Sequence, residues 1–377
     1  LKELENIVAE AARALASGQS VALATVVGVE GSAYRLPGAR MLIADAKWIA
    51  GSISGGCLED DVVMRSQEAI ATNEALLTTY DTTSDDDIVF GVGLGCKGVI
   101  TILIEPIRPE IRGVDFLGFA KSCLEERTVG AVATVVRVHG QADAKPGSRL
   151  LRSQEQSRSD ITNLELKSKI EDTIADTSEA AKLITLMLEH GSVEVFLERI
   201  EPPTPLVVFG AGHDAIPVVR LAKELGWHVT LVDHRPAYAT AARFPLADRI
   251  VVSTPAEVGA KVMLTEATLA LLMTHNYLRD LELLEKLLPS PVRYLGLLGP
   301  RRRTDQLLAD LRQKGVQPTT DQLSRFYAPV GLDIGSEGPI EVALSILSEM
   351  QAVLTRHPGS HLKERKRPIH RDTVGAL

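Results

Sequence analysis

From Leu206 onward the chain alternates short apolar runs with helical stretches in strict turn: LVVFG, VVRLAKEL, HVTLVD and a short helix, RIVVS and a helix, LALLMTH, LRDLELLEKLL, YLGLLG and RRRTDQLLADLRQ. The short runs read as buried strands, and the helical stretches place apolar residues at helical spacing. Strands joined only through helices lie parallel, because a parallel neighbour needs a crossover and not a hairpin. The pattern therefore predicts an α/β protein whose C-terminal part is a doubly wound parallel sheet. A further helix is expected in PIEVALSILSEMQAVLTR, opened by Pro339 and packing on this domain or on a partner subunit.

The first of these strands runs into LVVFGAGHDA, which sets Gly210, Gly212 and Ala215 in the pattern G-x-G-x-x-A between a strand and a helix. The first glycine permits the tight turn, the second removes the Cβ that would block a pyrophosphate, and the small third residue lets helix and strand pack. Helix amides then face the phosphates. Asp233 closes the next strand, 233 − 210 = 23 residues on, near the place of a ribose-binding carboxylate. An unphosphorylated ribose fits best, with Arg235 nearby keeping that point open. His213 is either a donor to a ligand in the crevice or a solvent-facing side chain. MTHNYLRD offers His275 and Asp280 at a strand end, and Arg301, Arg302 and Arg303 open a helix whose dipole they oppose unless an anion or carboxylates compensate. Two outcomes stay open: a nucleotide-type ligand in a Rossmann-like domain, or a vestigial pocket that keeps its glycines for the turn alone.

The N-terminal half reads as a mixed α/β domain. LKELENIVAEAARALASG is an amphipathic helix, VALATVVGV, VITILIEP and GAVATVVRV are strands, and DFLGFAKSCLEER is a second amphipathic helix. The polar stretch 153–177 is expected to be a mobile surface insertion. Pro202, Pro203 and Pro205 mark the main boundary, giving an N-terminal domain over 1–200, a Rossmann-like domain over 205–356 and a tail over 357–377. No internal repeat is evident.

The length of 377 residues suits two or three domains, and the net charge of −8 supplies no positive field for nucleic acid. No apolar run reaches the roughly 18 residues that a membrane span needs, and the N-terminal segment does not resemble a signal peptide. A cytoplasmic protein with free thiols is expected. Cys123 falls in a helical pattern and reads as a small buried hydrophobe. Cys57 in GSISGGCLEDDVV and Cys96 in GVGLGCKGV are framed by glycines, with Cys57 expected in the first turn of a helix. Helix amides favour a thiolate there, while Glu59, Asp60 and Asp61 oppose one. A thiolate would suit a soft metal or sulfur chemistry, and no C-x-x-C pair supports a structural zinc. In GSAYRLPGARML, Ser32, Arg35 and Arg40 sit in a compact turn that either receives an oxoanion or is an ordinary β-connection.

Taken in order, GSAYRLPGARML, GGCLED, GLGCKGVI, LVVFGAGHDA, MTHNYLRD, GLLGPRRR and PVGLDIGSEGPIEVALSILSEM resemble the XdhC/CoxI family over nearly the whole chain. The resemblance implies an N-terminal XdhC/CoxI domain joined to a C-terminal Rossmann-like domain. It also implies a maturation factor, a cofactor-insertion chaperone more than a catalyst. Such a factor binds molybdenum cofactor (molybdopterin), protects it and passes it to a xanthine-dehydrogenase-type molybdenum hydroxylase apoenzyme, with sulfuration by a cysteine desulfurase as a further step. Family members look dimeric, so a homodimer is expected. Pro300 stands where a small hydroxyl residue is common in the family, which puts one hydroxyl contact in doubt. The competing function is an NAD(P)-dependent oxidoreductase built on Gly210, Gly212 and Asp233; the N-terminal half supplies no obvious acid/base pair for hydride transfer.

Overall fold

In Val207–Phe209 successive side chains point to opposite faces of a sheet, and both faces are buried. That observation governs the C-terminal part of the computed structural model, which describes residues 2–81, 98–107, 114–154, 156–176 and 180–366. The chain divides into two compact units, Glu3–Pro202 and a second beginning at Pro203.

The second unit carries six parallel strands: β11 (Pro205–Phe209), β12 (His228–Asp233), β13 (Arg249–Val252), β14 (Leu269–Leu272), β15 (Tyr294–Leu297) and β16 (Phe326–Tyr327). Their spatial order is β13-β12-β11-β14-β15-β16, which is the doubly wound dinucleotide-fold order with its switch point between β11 and β14. Leu206 and Val208 face one way, against α5 (Ala215–Glu224) and α10 (Pro339–Thr355), in a core with Val218, Ala343 and Ile346. Val207 and Phe209 face the other way, against α7 (Tyr277–Leu287) and α8 (Arg301–Gln313), with Leu284 and Leu307, while the short α6 (Val258–Lys261) and α9 (Thr320–Ser324) precede β14 and β16. Each such fully buried aliphatic side chain contributes about 1.5–3 kcal/mol. The helix α10 expected at Pro339 thus packs within its own unit, on α5.

The first unit holds α1 (Lys2–Ala16), β1 (Val21–Gly31), β2 (Arg40–Ala44), β3 (Lys47–Gly51), α2 (Glu59–Thr72), β4 (Leu76–Asp81) and β5 (Gly98–Ile107). There follow α3 (Phe116–Glu126), β6 (Gly130–Gly140), β7 (Arg149–Arg152), β8 (Ser157–Ser159), α4 (Leu164–Asp176), β9 (Ala181–Leu188) and β10 (Gly191–Ile200). The first set repeats in the second. One sheet has the order β3-β2-β1-β5-β4 and the other β8-β7-β6-β10-β9, with antiparallel neighbours throughout. The sequence expectation of no internal repeat is therefore corrected. Ala24-Thr-Val-Val recurs at Ala133, and Pro37-Gly-x-Arg recurs at Pro146, each 133 − 24 = 146 − 37 = 109 residues later. The same hydrogen bonds recur with it: Val26 and Gly38 exchange amides with Ala39 and Val26 carbonyls, as Val135 and Gly147 do with Ser148 and Val135. Gly38 and Gly147 both hold a positive φ, +94° and +88°, which keeps glycine at both turns. The likeness is short and confined to one strand and its turn, so the diverged helices and edge strands hide it in the sequence.

The stretch 153–177 is also corrected. Its described residues form β8 over Ser157–Ser159 and α4 over Leu164–Asp176, because Ile161, Leu166 and Ile170, sparse among polar residues, are all buried on the second sheet.

The two repeats meet through a swapped pair of ion pairs. Arg40 on β2 reaches Glu198 on β10, and its counterpart Arg149 on β7 reaches Glu105 on β5. The Arg40 and Arg149 guanidiniums lie 4.3 Å and 5.9 Å from the centroid of the Phe116 ring. Burial pushes the Glu105 carboxyl up in pKa, against the pull of Arg149 and Arg40.

Candidate functional site

The segment between β3 and α2 carries Cys57. Glu59, the first residue of α2, folds back over its own helix N-terminus and accepts hydrogen bonds from the Ser54 amide at 2.9 Å, the Leu58 amide at 3.2 Å and the Ser54 hydroxyl. The Ser54 Oγ in turn accepts from the amides of Gly56 and Cys57, each at 3.1 Å, and of Leu58 at 3.2 Å. Gly56 has φ +109°, a conformation that favours glycine. The Cys57 thiol is exposed and lies 3.4 Å from Ser54 Oγ. Cys57 therefore sits just ahead of α2, not in its first turn as expected, because the Ser54–Glu59 lock closes the loop before the helix begins.

Burial alone would raise the Glu59 carboxyl, but hydrogen bonds from Ser54 and the neighbouring amides outweigh it and hold the pKa below the ordinary 4.5. A depressed carboxylate stabilises the fold above its unfolded pKa, and that contribution fades as pH falls through the folded value. Glu59→Ala is accordingly expected to cost about 1–3 kcal/mol near neutral pH, since it orphans buried donors. Urea unfolding of both proteins from pH 7 to pH 3 should show the curves converging in acid; a gap constant with pH would show that the charge is not what holds the loop.

The neighbouring turn is less open than the sequence implied. Arg40 is corrected from a candidate oxoanion contact to an interior residue, since its guanidinium is buried against Glu198. Arg35 is paired with Glu3 at 2.5 and 2.7 Å. Ser32 is exposed, and its backbone lies so close to Gly98 that a Cβ there would come within 2.6 Å of the Ser32 carbonyl. Tyr34, absent from the sequence reading, is 65% exposed, and its ring lies 3.8 Å from where a Gly55 Cβ would stand. Cys123 is buried in α3 as expected, and Cys96 lies outside the described residues.

In the second unit the glycine turn forms between β11 and α5. Gly210 has φ +115°, and any Cβ on it would strike the Met273 carbonyl. Ala215 is fully buried at the start of α5. His213 is exposed. His275, itself at φ +54°, reaches across from the end of β14, and its Nε2 lies 2.6 Å from Asp214 Oδ2. The structure thus brings His275 to the glycine turn through Asp214, a residue that the G-x-G-x-x-A pattern leaves unspecified. Asp280 is buried beneath, accepting from Thr274 Oγ1 at 2.5 Å and Arg303 at 2.6 Å. Arg303 is thereby compensated, while Arg301 and Arg302 are exposed on the first turn of α8. A small cavity opens at the strand ends, lined by Gly210, Asp233, His234, Ser253, Pro255 and Thr274 among others. It lies at the carboxyl ends of β11, β12, β13 and β14, where open parallel sheets bind ligands.

Comparison with known proteins follows this division. Residues 206–350 match the XdhC Rossmann domain, and residues 14–81 match the XdhC and CoxI family. A probable xanthine dehydrogenase subunit from Bacillus subtilis (strain 168) is 34% identical over 88% of this chain and 92% of its own length. The chain belongs to the XdhC and CoxI family. A crystal structure of a xanthine dehydrogenase from Bacillus halodurans is similar with a TM-score of 0.75 at 28% identity, covering 95% of this chain and 98% of that one. The molybdenum cofactor insertion chaperone PaoD of Escherichia coli (strain K12) is 23% identical over 91% of this chain and 86% of its own length. This XdhC-family chain has no helix, among the described residues, long and apolar enough to cross a membrane.

Proposed function

We propose that the protein is a maturation factor that binds molybdenum cofactor as cargo and delivers it to a xanthine-dehydrogenase-type molybdenum hydroxylase. The observation that carries this reading is the presented thiol: Cys57 is exposed on a loop fixed by Ser54 and Glu59, as a ligand for a soft metal or a sulfur donor requires. A thiol kept only for packing would be buried, as Cys123 is. Two relatives support the same reading, one a molybdenum cofactor insertion chaperone and the other a probable subunit of xanthine dehydrogenase. In the second unit, the Gly210–Gly212 turn with its helix amides is assigned to an anionic end of a ligand, and His213, His275 and Arg301 are the side chains beside the turn or at the same sheet edge that would attend it. Delivery places the protein with a hydroxylase apoenzyme, with a cysteine desulfurase as a second partner and a homodimer as the working form.

The test is to purify the protein from cells with an intact cofactor pathway and to measure retained molybdenum and pterin by mass spectrometry. Cys57→Ser is expected to lower retained molybdenum several-fold without moving the melting temperature. Unchanged retention removes the thiol from the site, and wild-type protein carrying neither metal nor pterin overturns the reading. The oxidoreductase alternative rests on the β11–β14 switch point, and substrate-dependent oxidation of NAD(P)H would favour it instead.

A further inference from the structure

Asp233 stands at the end of β12, where dinucleotide folds keep the carboxylate that reads a ribose diol, but its acceptor sites are already taken. It is buried, and it accepts from the Ala211 amide at 2.7 Å, the Arg235 amide at 2.8 Å, Arg235 Nε at 2.9 Å and Arg235 Nη2 at 2.7 Å. A carboxylate offers about four acceptor sites, so four donors leave nothing for a sugar hydroxyl. One of those donors belongs to the glycine turn, which makes Asp233 a brace for Gly210–Gly212.

Beside this brace the half-buried chemistry is cationic. Arg235 lies 4.0 Å from the centroid of the Tyr238 ring, and Arg243 lies 4.8 Å from the same centroid. Arg243 donates through Nη1 to the carbonyls of Ala211 at 2.9 Å and Tyr238 at 3.1 Å, so it too is fixed to the glycine turn. Its partners are neutral carbonyls, which leave its charge uncancelled and its Nε and Nη2 edge free of those bonds. Arg235 spends Nε and part of Nη2 on Asp233 and keeps Nη1. His234 adds an imidazole 3.3 Å from Asp233. Two guanidiniums held around one ring, on residues that follow the second strand of the fold, match what a phosphomonoester needs and a bare ribose does not.

We propose that Arg235 and Arg243, braced on Tyr238, form a phosphomonoester subsite at the ribose end of the Rossmann-like pocket. The phosphate comes either from the 2′ position of a phosphorylated dinucleotide or from the phosphomonoester that a pterin cargo carries. The dinucleotide source does not rest on the proposed function, since cofactor-free protein suffices to test it, whereas the cargo source does rest on that reading.

Isothermal titration of the full chain, purified free of cofactor, with NADP+, NAD+ and inorganic phosphate separates the possibilities. NADP+ binding at least tenfold tighter than NAD+ supports a dinucleotide source. Arg243→Gln should then abolish the preference and Arg243→Lys should restore part of it. Weak or absent nucleotide binding, together with phosphate binding that depends on Arg243 and a several-fold loss of copurified pterin in Arg243→Gln, supports the cargo as source. NAD+ binding as tightly as NADP+, or the absence of any Arg243-dependent binding of nucleotide, phosphate or pterin, overturns the subsite. The wild-type comparison of the two nucleotides stands even if a variant fails to fold. Failure of the molybdenum reading would appear separately, as cofactor-pathway cells yielding protein without metal while the nucleotide preference persists.

Discussion

Arg40→Ala is expected to lower the unfolding free energy of the protein by about 3–5 kcal/mol, because it strands Glu198 as a buried charge without its partner. For a unit of this size that corresponds to a fall in melting temperature of roughly 6–20 °C. Both side chains are nearly inaccessible, at 7% and 5% of their surface, so solvent screens the pair little. The double replacement Arg40→Met with Glu198→Leu removes both charges and keeps the volume, and it should recover most of the loss. A double-mutant cycle by urea denaturation measures the coupling directly. A cost for Arg40→Ala below about 1 kcal/mol, the range of an exposed pair, would show that the swapped ion pairs do not bind the repeats together.

Gly212→Asp is expected to reduce retention of an anionic ligand by about ten- to a hundredfold, each tenfold being about 1.4 kcal/mol. A Cβ at Gly212 would meet Asp214 Oδ1 and come within 3.9 Å of the His275 ring, so the new carboxylate would stand beside an existing one at the turn. Gly212 does not hold a positive φ, and the atom it would touch belongs to a side chain, so Gly212→Ala should fold and serve as the steric control. Gly210 permits no such control, since its Cβ would strike the backbone of Met273. Copurified pterin, measured by mass spectrometry for wild type, Gly212→Ala and Gly212→Asp, gives the comparison. Equal retention in all three would mean that the glycines serve the turn alone and that the pocket is vestigial.

The parallel sheet was legible from the chain because β11, β12, β14 and β15 are buried on both faces and most connections carry a helix, so apolar runs and helical runs each leave their own mark; the link between β12 and β13 is an exception, where turns stand in place of the expected short helix. The glycine turn was legible for a related reason: Gly210 is fixed by a positive φ and a backbone collision, constraints that only one residue type meets. The N-terminal duplication was not. Its two copies share a strand and a turn, while Ile161, Leu166 and Ile170 do with three apolar side chains what denser patterns do elsewhere, and Ser and Gln between them read as loop. Nor was the environment of Cys57 legible, since the five-residue separation of Ser54 and Glu59 becomes a lock only when the chain turns back on itself.

What the sequence determined by itself was local and periodic: which segments alternate, where a turn must be glycine, and which family the motifs resemble. What only the tertiary structure decided was the fate of the charged side chains. Arg40 and Asp233 looked alike as ligand contacts, yet one is paired inside the first unit with Glu198, 158 residues away, and the other is consumed by Ala211 and Arg235. A charged group binds a ligand only if folding leaves its hydrogen-bonding capacity unspent. That capacity is set by neighbours distant in the chain, which no local pattern records.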